Sequence, residues 1–256
     1  MYAFTLARRD HREHDQSVFF YTKESGKIEV IARGVKRSVA KNSAALEPFS
    51  LLDIEVVKGR TAAYVTKVTV LEPFAKLRID PVKMVMASLA LSAVEKVTKN
   101  DEPDQKIFKL LFSYFTELEN SDAKQFHQSA FLGRLVCFLG FTPVVATCVT
   151  CGKKIAYPAY FSAKDGGTIC VKCAAGEKFP LISKKISKAL RGILIDEWKM
   201  IGDYDLNVAD SELVKKLIRN FSEYHLGVSF FDPTGMFGKN FEKVAKISQK
   251  AYNSKL

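Results

Sequence analysis

The chain has 256 residues, of which 47% are hydrophobic and 26% are charged, which is typical of a globular protein with a substantial core and excludes a disordered or collagen-like chain. Lysine and arginine number 39 against 28 aspartates and glutamates, so the formal net charge is +11 and a polyanion is the expected partner. This excess is not diagnostic by itself, because many basic proteins bind no nucleic acid.

Residues 1 to about 75 show the alternation of apolar and polar side chains that predicts β-strands. A two-residue turn at Lys58-Gly59 is predicted between the last two strands. Five short strands with little room for a helix indicate a small closed barrel, because closure removes exposed strand edges. The predicted strands contain Tyr2, Val18, Ile28, Leu52 and Tyr64.

At Asp80-Pro81 the hydrophobic period changes from two to 3.6, so a helical region is predicted to begin there. Asp80 is a favourable N-cap and Pro81 a favourable first helical residue. A second helix is predicted after Pro103-Asp104, and a third, apolar on most sides, over residues 123–139. Two further helices have predicted N-caps at Ser183 and Ser211.

Four of the five cysteines form two close pairs, Cys148-Val-Thr-Cys151 and Cys170-Val-Lys-Cys173. Two residues between paired cysteines allow both thiolates to reach one ion, and the 18 residues between the pairs suit a short hairpin. The sequence therefore predicts a zinc ribbon. Four thiolates leave no open coordination position, so the zinc ion is expected to be structural. Cys137 is predicted to be a core thiol.

The chain is predicted to be cytoplasmic and to make no membrane contact. Its longest uncharged span, residues 135–152, is interrupted by Gly140 and Pro143 and is too polar for a spanning helix. The first residues lack the basic leader and apolar core of a secretory signal. Closely paired cysteines also fit metal ligation in a reducing compartment better than a disulfide framework.

A basic segment follows the third predicted strand and has no acidic residue from position 31 to 45. Cations at the end of a barrel strand suit contacts with nucleic-acid phosphates. By charge alone, the segment is equally typical of a solvated loop. The candidate DNA-binding residues in it are Arg33, Lys36, Arg37 and Lys41.

The stretch His11-Arg12-Glu13-His14-Asp15 contains residue types that ligate catalytic metals, which leaves open a zinc hydrolase that uses His11 and His14. A surface loop is the simpler interpretation, because no helix holds the histidines one turn apart. The sequence contains no serine elbow, phosphate-cradling glycine loop or dinucleotide fingerprint. The chain is therefore expected not to be an enzyme.

Three segments, in this order, resemble the bacterial recombination mediator RecO family: residues 26–38, Leu46-Glu47-Pro48-Phe49, and Leu139-Gly140-Phe141-Thr142-Pro143 ahead of the four cysteines. The resemblance extends from Tyr2 to about residue 225. Together with the periodicities, it implies an α+β multidomain protein. Its expected parts are a five-stranded OB-fold barrel over 1–79, a helical domain over 80–143 and 177–235, an inserted zinc ribbon over 144–176 and a basic C-terminal tail over 236–256.

The resemblance also implies a function: a non-enzymatic DNA-repair protein that binds single- and double-stranded DNA without sequence specificity and anneals complementary strands. It implies that the chain works with RecR, and with RecF where present, to load RecA onto DNA coated by single-strand-binding protein, whose acidic C-terminal tail is an expected contact. By similarity, Arg33, Lys36, Arg37 and Lys41 lie in the basic barrel loop of the family. Likewise, Cys148, Cys151, Cys170 and Cys173 would hold one zinc ion.

A second alternative, besides the zinc hydrolase, remains open from the residues. An OB-fold with a zinc ribbon is also compatible with a module that binds RNA or is associated with translation. Competition between RNA and single-stranded DNA distinguishes the two functions, because a protein that contacts the 2′-hydroxyl prefers RNA.

Overall fold

The computed structural model describes residues 1–36, 43–122, 126–174, 176, 178–201 and 204–230. The chain divides into two compact units. The basic tail predicted over 236–256 lies outside the described residues. No helix in the described ranges combines the length and apolar character that crossing a membrane requires.

The first unit contains a closed five-stranded barrel, as the sequence predicts. Its strands are β1 (Tyr2–Asp10), β2 (Gln16–Thr22), β3 (Gly26–Ala32), β4 (Leu51–Lys58) and β5 (Ala63–Glu72). Their order around the barrel is β1-β2-β3-β5-β4. All neighbours are antiparallel except β3 and β5, which pair in parallel at Ile31 and Tyr64 and close the barrel. Alternate side chains fill the interior, among them Val18, Phe20, Val30, Leu52 and Ile54.

The turn between β4 and β5 is longer than predicted. β4 ends at Lys58 and β5 begins at Ala63, so the predicted two-residue turn is wrong. The backbone N–H of Gly59 donates a hydrogen bond to the carbonyl oxygen of Ala62, at 2.8 Å, and this contact closes the turn around the intervening residues.

Among the described residues of the first unit, three helices follow the barrel: α1 (Lys76–Ile79), α2 (Pro81–Val97) and α3 (Gln105–Asn120). The Asp80 carboxylate accepts hydrogen bonds from the backbone N–H groups of Val82 and Lys83, at 2.8 and 3.3 Å, and Pro81 is the first helical residue. Asp104 caps α3 in the same way. Both predicted helix starts are confirmed, because each carboxylate satisfies N–H groups that have no partner within the helix.

Helix α3 packs on the barrel through aromatic rings. The ring of Phe115 lies 5.5 Å from that of Phe4 in β1 and 5.6 Å from that of Phe74, between ring centroids. Phe108, two turns earlier in α3, lies 5.3 Å from Phe4. Phe4 and Phe115 are fully buried, so these rings form the centre of the contact between barrel and helix.

Tyr21 joins the barrel to the start of α3. Its side chain is fully buried in β2, and its hydroxyl donates a hydrogen bond to the carbonyl oxygen of Asp104 at 3.2 Å. Burial, which disfavours the phenolate, raises the pKa of Tyr21 to about 12.

Tyr21 should make the fold sensitive to alkali. In the unfolded chain a tyrosine ionises near pH 10, whereas folded Tyr21 keeps its proton to about pH 12. Its contribution to stability is therefore complete below about pH 10 and is lost as pH rises toward 12. Urea unfolding between these limits should show a shallower fall in unfolding free energy for Tyr21→Phe than for the wild type. Tyr2→Phe, at an exposed position, is the control, and an unchanged slope in Tyr21→Phe would contradict the assignment.

Where the structure describes it, the second unit contains three α-helices and a small sheet. The helices are α4 (His127–Phe138), α5 (Lys184–Ile195) and α6 (Val208–Leu226). The strands are β6 (Ala159–Ser162), β7 (Gly167–Ile169) and β8 (Leu181–Ile182), in the order β7-β6-β8. A short 3₁₀ turn lies at Trp198–Met200. One core joins the helices to the sheet and includes Val136, Phe161, Leu190, Val214 and Phe221.

Of the two N-caps predicted in the second unit, one is confirmed and one is wrong. Ser183 caps α5, since its hydroxyl accepts a hydrogen bond from the backbone N–H of Ile186 at 3.3 Å. The predicted N-cap at Ser211 is wrong: Asn207 caps α6, with its side-chain oxygen accepting from the N–H of Asp210 at 2.8 Å. Ser211 is buried inside the helix that Asn207 begins.

The two units cut across the helical domain predicted over 80–143 and 177–235. Helices α1 to α3 belong to the unit with the barrel, and α4 to α6 belong to the unit with the four cysteines. The domain boundaries themselves stay a prediction. The helix predicted over 123–139 corresponds to α4, and residues 123–125 lie outside the described part of the chain.

Candidate functional site

The four paired cysteines meet in the second unit. The sulfur atoms of Cys148, Cys151, Cys170 and Cys173 all lie within 4.8 Å of one another. The Cys151 and Cys170 sulfurs are 4.0 Å apart, close to the roughly 3.8 Å that a tetrahedral Zn²⁺ with Zn–S bonds of about 2.3 Å requires. The residues therefore fit a tetrahedral metal ion. Among the described residues, this is the one group of at least three cysteine, histidine or acidic side chains close enough to share an ion.

Backbone hydrogen bonds fold each cysteine pair into a tight turn. In the first pair, the N–H of Gly152 donates to the carbonyl oxygen of Cys148, and the N–H of Cys148 donates to that of Lys153, both at 2.8 Å. In the second pair, the N–H of Cys173 donates to the carbonyl oxygen of Cys170 at 3.0 Å. The N–H of Cys170 also lies 3.4 Å from the Cys148 sulfur and connects the two turns.

The sulfurs differ in their tendency to lose a proton. Burial opposes ionisation of Cys148, but hydrogen bonds from the backbone N–H groups of Cys170, Cys151 and Thr150 outweigh it and lower the pKa of Cys148 to about 6. Hydrogen bonds with the Cys170 and Cys151 sulfurs raise the pKa of Cys173 to about 12. Cys148 therefore loses its proton more readily than Cys173, and a cation that binds all four sulfurs would displace the protons that the cluster still holds.

Cys137 lies outside this cluster. It is half-buried on α4, and burial raises the pKa of its thiol above the ordinary value. A protonated, half-buried thiol behaves as a small apolar side chain.

The segment His11 to Asp15 forms a turn between β1 and β2. The backbone N–H groups of His11 and Arg12 donate to the carbonyl oxygen of Asp15, at 3.1 and 3.2 Å. The Asp15 carboxylate accepts a hydrogen bond from the N–H of Gly34 at 2.8 Å. The described structure brings no group of metal-binding side chains together here, and the turn instead supports the basic segment after β3.

Two of the four predicted DNA-binding residues lie in the described chain. Arg33 is exposed, and its guanidinium carbon lies 4.0 Å from the centre of the Tyr64 ring. The Lys36 ammonium is 2.8 Å from a carboxylate oxygen of Asp10, and this hydrogen bond lowers the pKa of Asp10. Arg37 and Lys41 lie outside the described residues.

Comparison with known proteins identifies the family. The family model described as "Recombination protein O N terminal" matches residues 1–74, and "Recombination protein O C terminal" matches residues 78–231. The chain belongs to the RecO family. The resemblance stated from the sequence is therefore confirmed, and membership places the chain among proteins of DNA repair and recombination.

Several proteins named DNA repair protein RecO are similar to this chain along most of their length. The protein named DNA repair protein RecO from Pelotomaculum thermopropionicum is 28% identical over 225 residues, covering 88% of this chain and 88% of the relative. The protein of the same name from Anaeromyxobacter sp. strain K is 30% identical over 232 residues, covering 85% and 87%. A third, from Alkaliphilus metalliredigens, is 28% identical over 225 residues, covering 87% and 92%.

Sequence reasoning missed part of the cationic surface of this RecO-family barrel. Lys58 and Arg60 are exposed at the turn between β4 and β5, next to Tyr64. The parallel pairing of Ile31 with Tyr64 places the start of β5, which follows this turn, beside the end of β3, which precedes Arg33. The Lys58-Gly59-Arg60 triplet is visible in the sequence, but its relation to Arg33 depends on a strand order that no local pattern encodes.

Proposed function

We propose that this RecO-family chain is a non-enzymatic recombination mediator that binds single- and double-stranded DNA through its phosphates and anneals complementary strands. The observation that carries the proposal is a set of exposed cations around the β3–β5 contact: Arg33 follows β3, and Lys58 and Arg60 precede β5. Within the described residues, no carboxylate pairs with any of the three. Uncompensated cations on a barrel of this type suit a sequence-independent contact with a phosphate backbone.

Annealing follows from the same charges. The formal net charge of +11 allows the chain to lower the repulsion between two phosphate backbones, while base pairing supplies the sequence specificity. No reading of bases by the protein is required for this step. The proposal includes no covalent chemistry, and the described residues offer no second cluster at which a catalytic metal would bind.

The proposal extends to a cofactor and to partners. We infer that the four cysteines hold one Zn²⁺, since four thiolates in a tetrahedral set are typical ligands of structural zinc, and that the ion is structural. In line with the family resemblance, the chain would act in the cytoplasm at the nucleoid. Its partners there would be RecR, RecF where present, RecA, and the acidic tail of single-strand-binding protein.

Affinity for DNA should fall steeply with salt. Each phosphate contact that a lysine or arginine makes releases counterions, so the logarithm of the association constant should decline linearly with that of the salt concentration. The combined variant Arg33→Ala, Lys36→Ala, Arg37→Ala should bind an oligonucleotide more weakly, with a slope smaller by about two, because Lys36 is already paired with Asp10. Fluorescence anisotropy across a salt series measures both quantities.

A matched control removes three other positive charges. Lys185, Lys199 and Lys215 pair with Asp205, Glu197 and Glu212, at 2.6, 2.7 and 2.7 Å, so replacing them with alanine should change the slope little. Equal losses in the two triple variants would contradict a role for the barrel loop. Preference for RNA over DNA of the same sequence would support the RNA-binding alternative, and failure to anneal strands coated with single-strand-binding protein would contradict the mediator role.

A further inference from the structure

Arg33 lies over an aromatic ring at the barrel surface. Its guanidinium carbon is 4.0 Å from the centroid of the Tyr64 ring, well within the distance of a cation–π contact. Tyr64 is half-buried, whereas Arg33 is exposed. The guanidinium therefore contacts the ring, while Arg33 is accessible to solvent.

Two features of the barrel fix this arrangement. Ile31 and Tyr64 pair across the parallel β3–β5 contact, and Arg33 lies two residues beyond Ile31. Gly59 leaves room for the ring: a β-carbon there would lie 2.7 Å from Cε2 of Tyr64 and 2.9 Å from the carbonyl oxygen of Ala62. The position of the ring is therefore set by strand pairing on one side and by the β4–β5 turn on the other.

Other arginines on aromatic rings have committed their hydrogen-bonding groups. Arg9 lies 4.3 Å from the Phe19 centroid but forms an ion pair with Glu95. Arg134 lies 4.1 Å from the Trp198 centroid and donates to the backbone carbonyl oxygens of Ile193 and Asp196. In the part of the chain that the structure describes, Arg33 is the stacked arginine that no carboxylate or carbonyl engages.

We propose that Tyr64 and Arg33 form a stacking platform for a nucleobase of single-stranded DNA. In this platform, the Tyr64 ring holds the Arg33 guanidinium parallel to itself. A base stacks on the other face of the guanidinium, and the guanidinium N–H groups donate hydrogen bonds to an adjacent phosphate. Every base has a flat face, so the platform needs no particular sequence. Bases inside a duplex are stacked on one another and do not reach it, so the platform favours single strands.

The neighbouring turn supplies phosphate contacts for the same strand. Lys58 and Arg60 flank Gly59, the residue that accommodates the Tyr64 ring, and both are exposed. A strand whose base lies on Arg33 would therefore have cations beside its backbone on the β4–β5 turn. This inference rests on the proposed DNA-binding function and adds to it a preference for single strands and a positioning residue, Tyr64.

The test separates the effect of the planar guanidinium of Arg33 from the effect of its positive charge. Arg33→Lys keeps the positive charge but loses the planar group. Anisotropy titrations of the full chain would use fluorescent oligo-dT, a duplex of matched length and an abasic deoxyribose-phosphate oligomer. The affinity of Arg33→Lys for oligo-dT should be lower than that of the wild type by roughly fivefold or more. Its affinity for the duplex and for the abasic oligomer, and the salt dependence of binding, should be nearly unchanged. Tyr64→Phe should match the wild type, and Tyr64→Ala should lower oligo-dT affinity as Arg33→Lys does.

Arg9→Lys is the matched control, because it alters a stacked arginine of the same barrel whose charge is already paired. It should bind all three probes as the wild type does. If Arg33→Lys binds oligo-dT as tightly as the wild type, the platform is wrong and Arg33 acts only through its charge. Equal weakening on the abasic oligomer would also overturn it, because no base is present there. If the wild type binds none of the probes, the proposed function fails instead.

Discussion

Replacing Cys148 with serine is expected to abolish metal binding and to unfold the four-cysteine element. Cys148 is buried, and its sulfur accepts a hydrogen bond from the backbone of the second cysteine pair. A serine hydroxyl cannot act as the fourth thiolate, and metal binding contributes on the order of 10 kcal/mol to small elements of this kind. The β6–β7 hairpin has strands of four and three residues, too short to persist without such support.

Bound metal per chain and hydrogen exchange over residues 148–173 measure this effect. Cys137→Ser should keep one ion per chain, because that thiol lies outside the cluster. The double variant His11→Ala, His14→Ala should keep it too, which separates the cysteine site from the zinc hydrolase alternative. A wild-type chain without metal, or a Cys148→Ser chain that retains a full equivalent, would refute the proposed zinc site.

Replacing Phe115 with alanine is expected to lower the unfolding free energy of the first unit by about 3–5 kcal/mol. Phe115 is fully buried, and its ring approaches those of Phe4, Phe49 and Phe74 at 5.5, 6.2 and 5.6 Å. Truncation would leave a cavity between the barrel and α3 that rigid neighbours on both sides prevent from closing.

Phe112 offers the matched control on the same helix. It lies one turn before Phe115 and is 40% exposed, so Phe112→Ala removes the same atoms at a cost of about 1 kcal/mol or less. Urea unfolding followed by circular dichroism, with hydrogen exchange of the β1 amides, reports the difference. Similar losses in the two variants would show that the aromatic contact does not stabilise the barrel.

Local signals account for what the sequence predicted of the fold. Strand alternation identified the barrel, and the side chains of Asp80, Asp104 and Ser183 cap helices where expected because capping involves residues only two or three apart. The N-cap prediction at Ser211 was wrong because a local signal of this kind can occur at more than one nearby residue. Asn207 is also a good cap, and a shift within one turn barely changes the apolar stripe that follows.

In the candidate site, too, features encoded by local spacing were predicted and features that depend on distant residues were not. The spacing of the cysteines determines that they can converge, and their sulfurs do lie together. The contacts of Arg33 with Tyr64 and of Lys36 with Asp10 join residues far apart in sequence. These contacts depend on the closure of the barrel by β3 and β5, and on the hydrogen bond between the β1–β2 turn and the segment after β3. Local residue patterns specify neither feature.

The small sheet of the second unit has an aggregation liability that the barrel avoids. The free side of β7 is covered by the segment at Val144, whose backbone exchanges hydrogen bonds with Gly166 and Thr168 at 3.0 and 2.8 Å. That covering segment leads directly into Cys148. If the cysteines hold the proposed Zn²⁺, removing it with a chelator would release this segment and expose an unpaired strand to neighbouring molecules. Metal-depleted preparations should then precipitate on storage, and zinc-supplemented buffers should keep them clear.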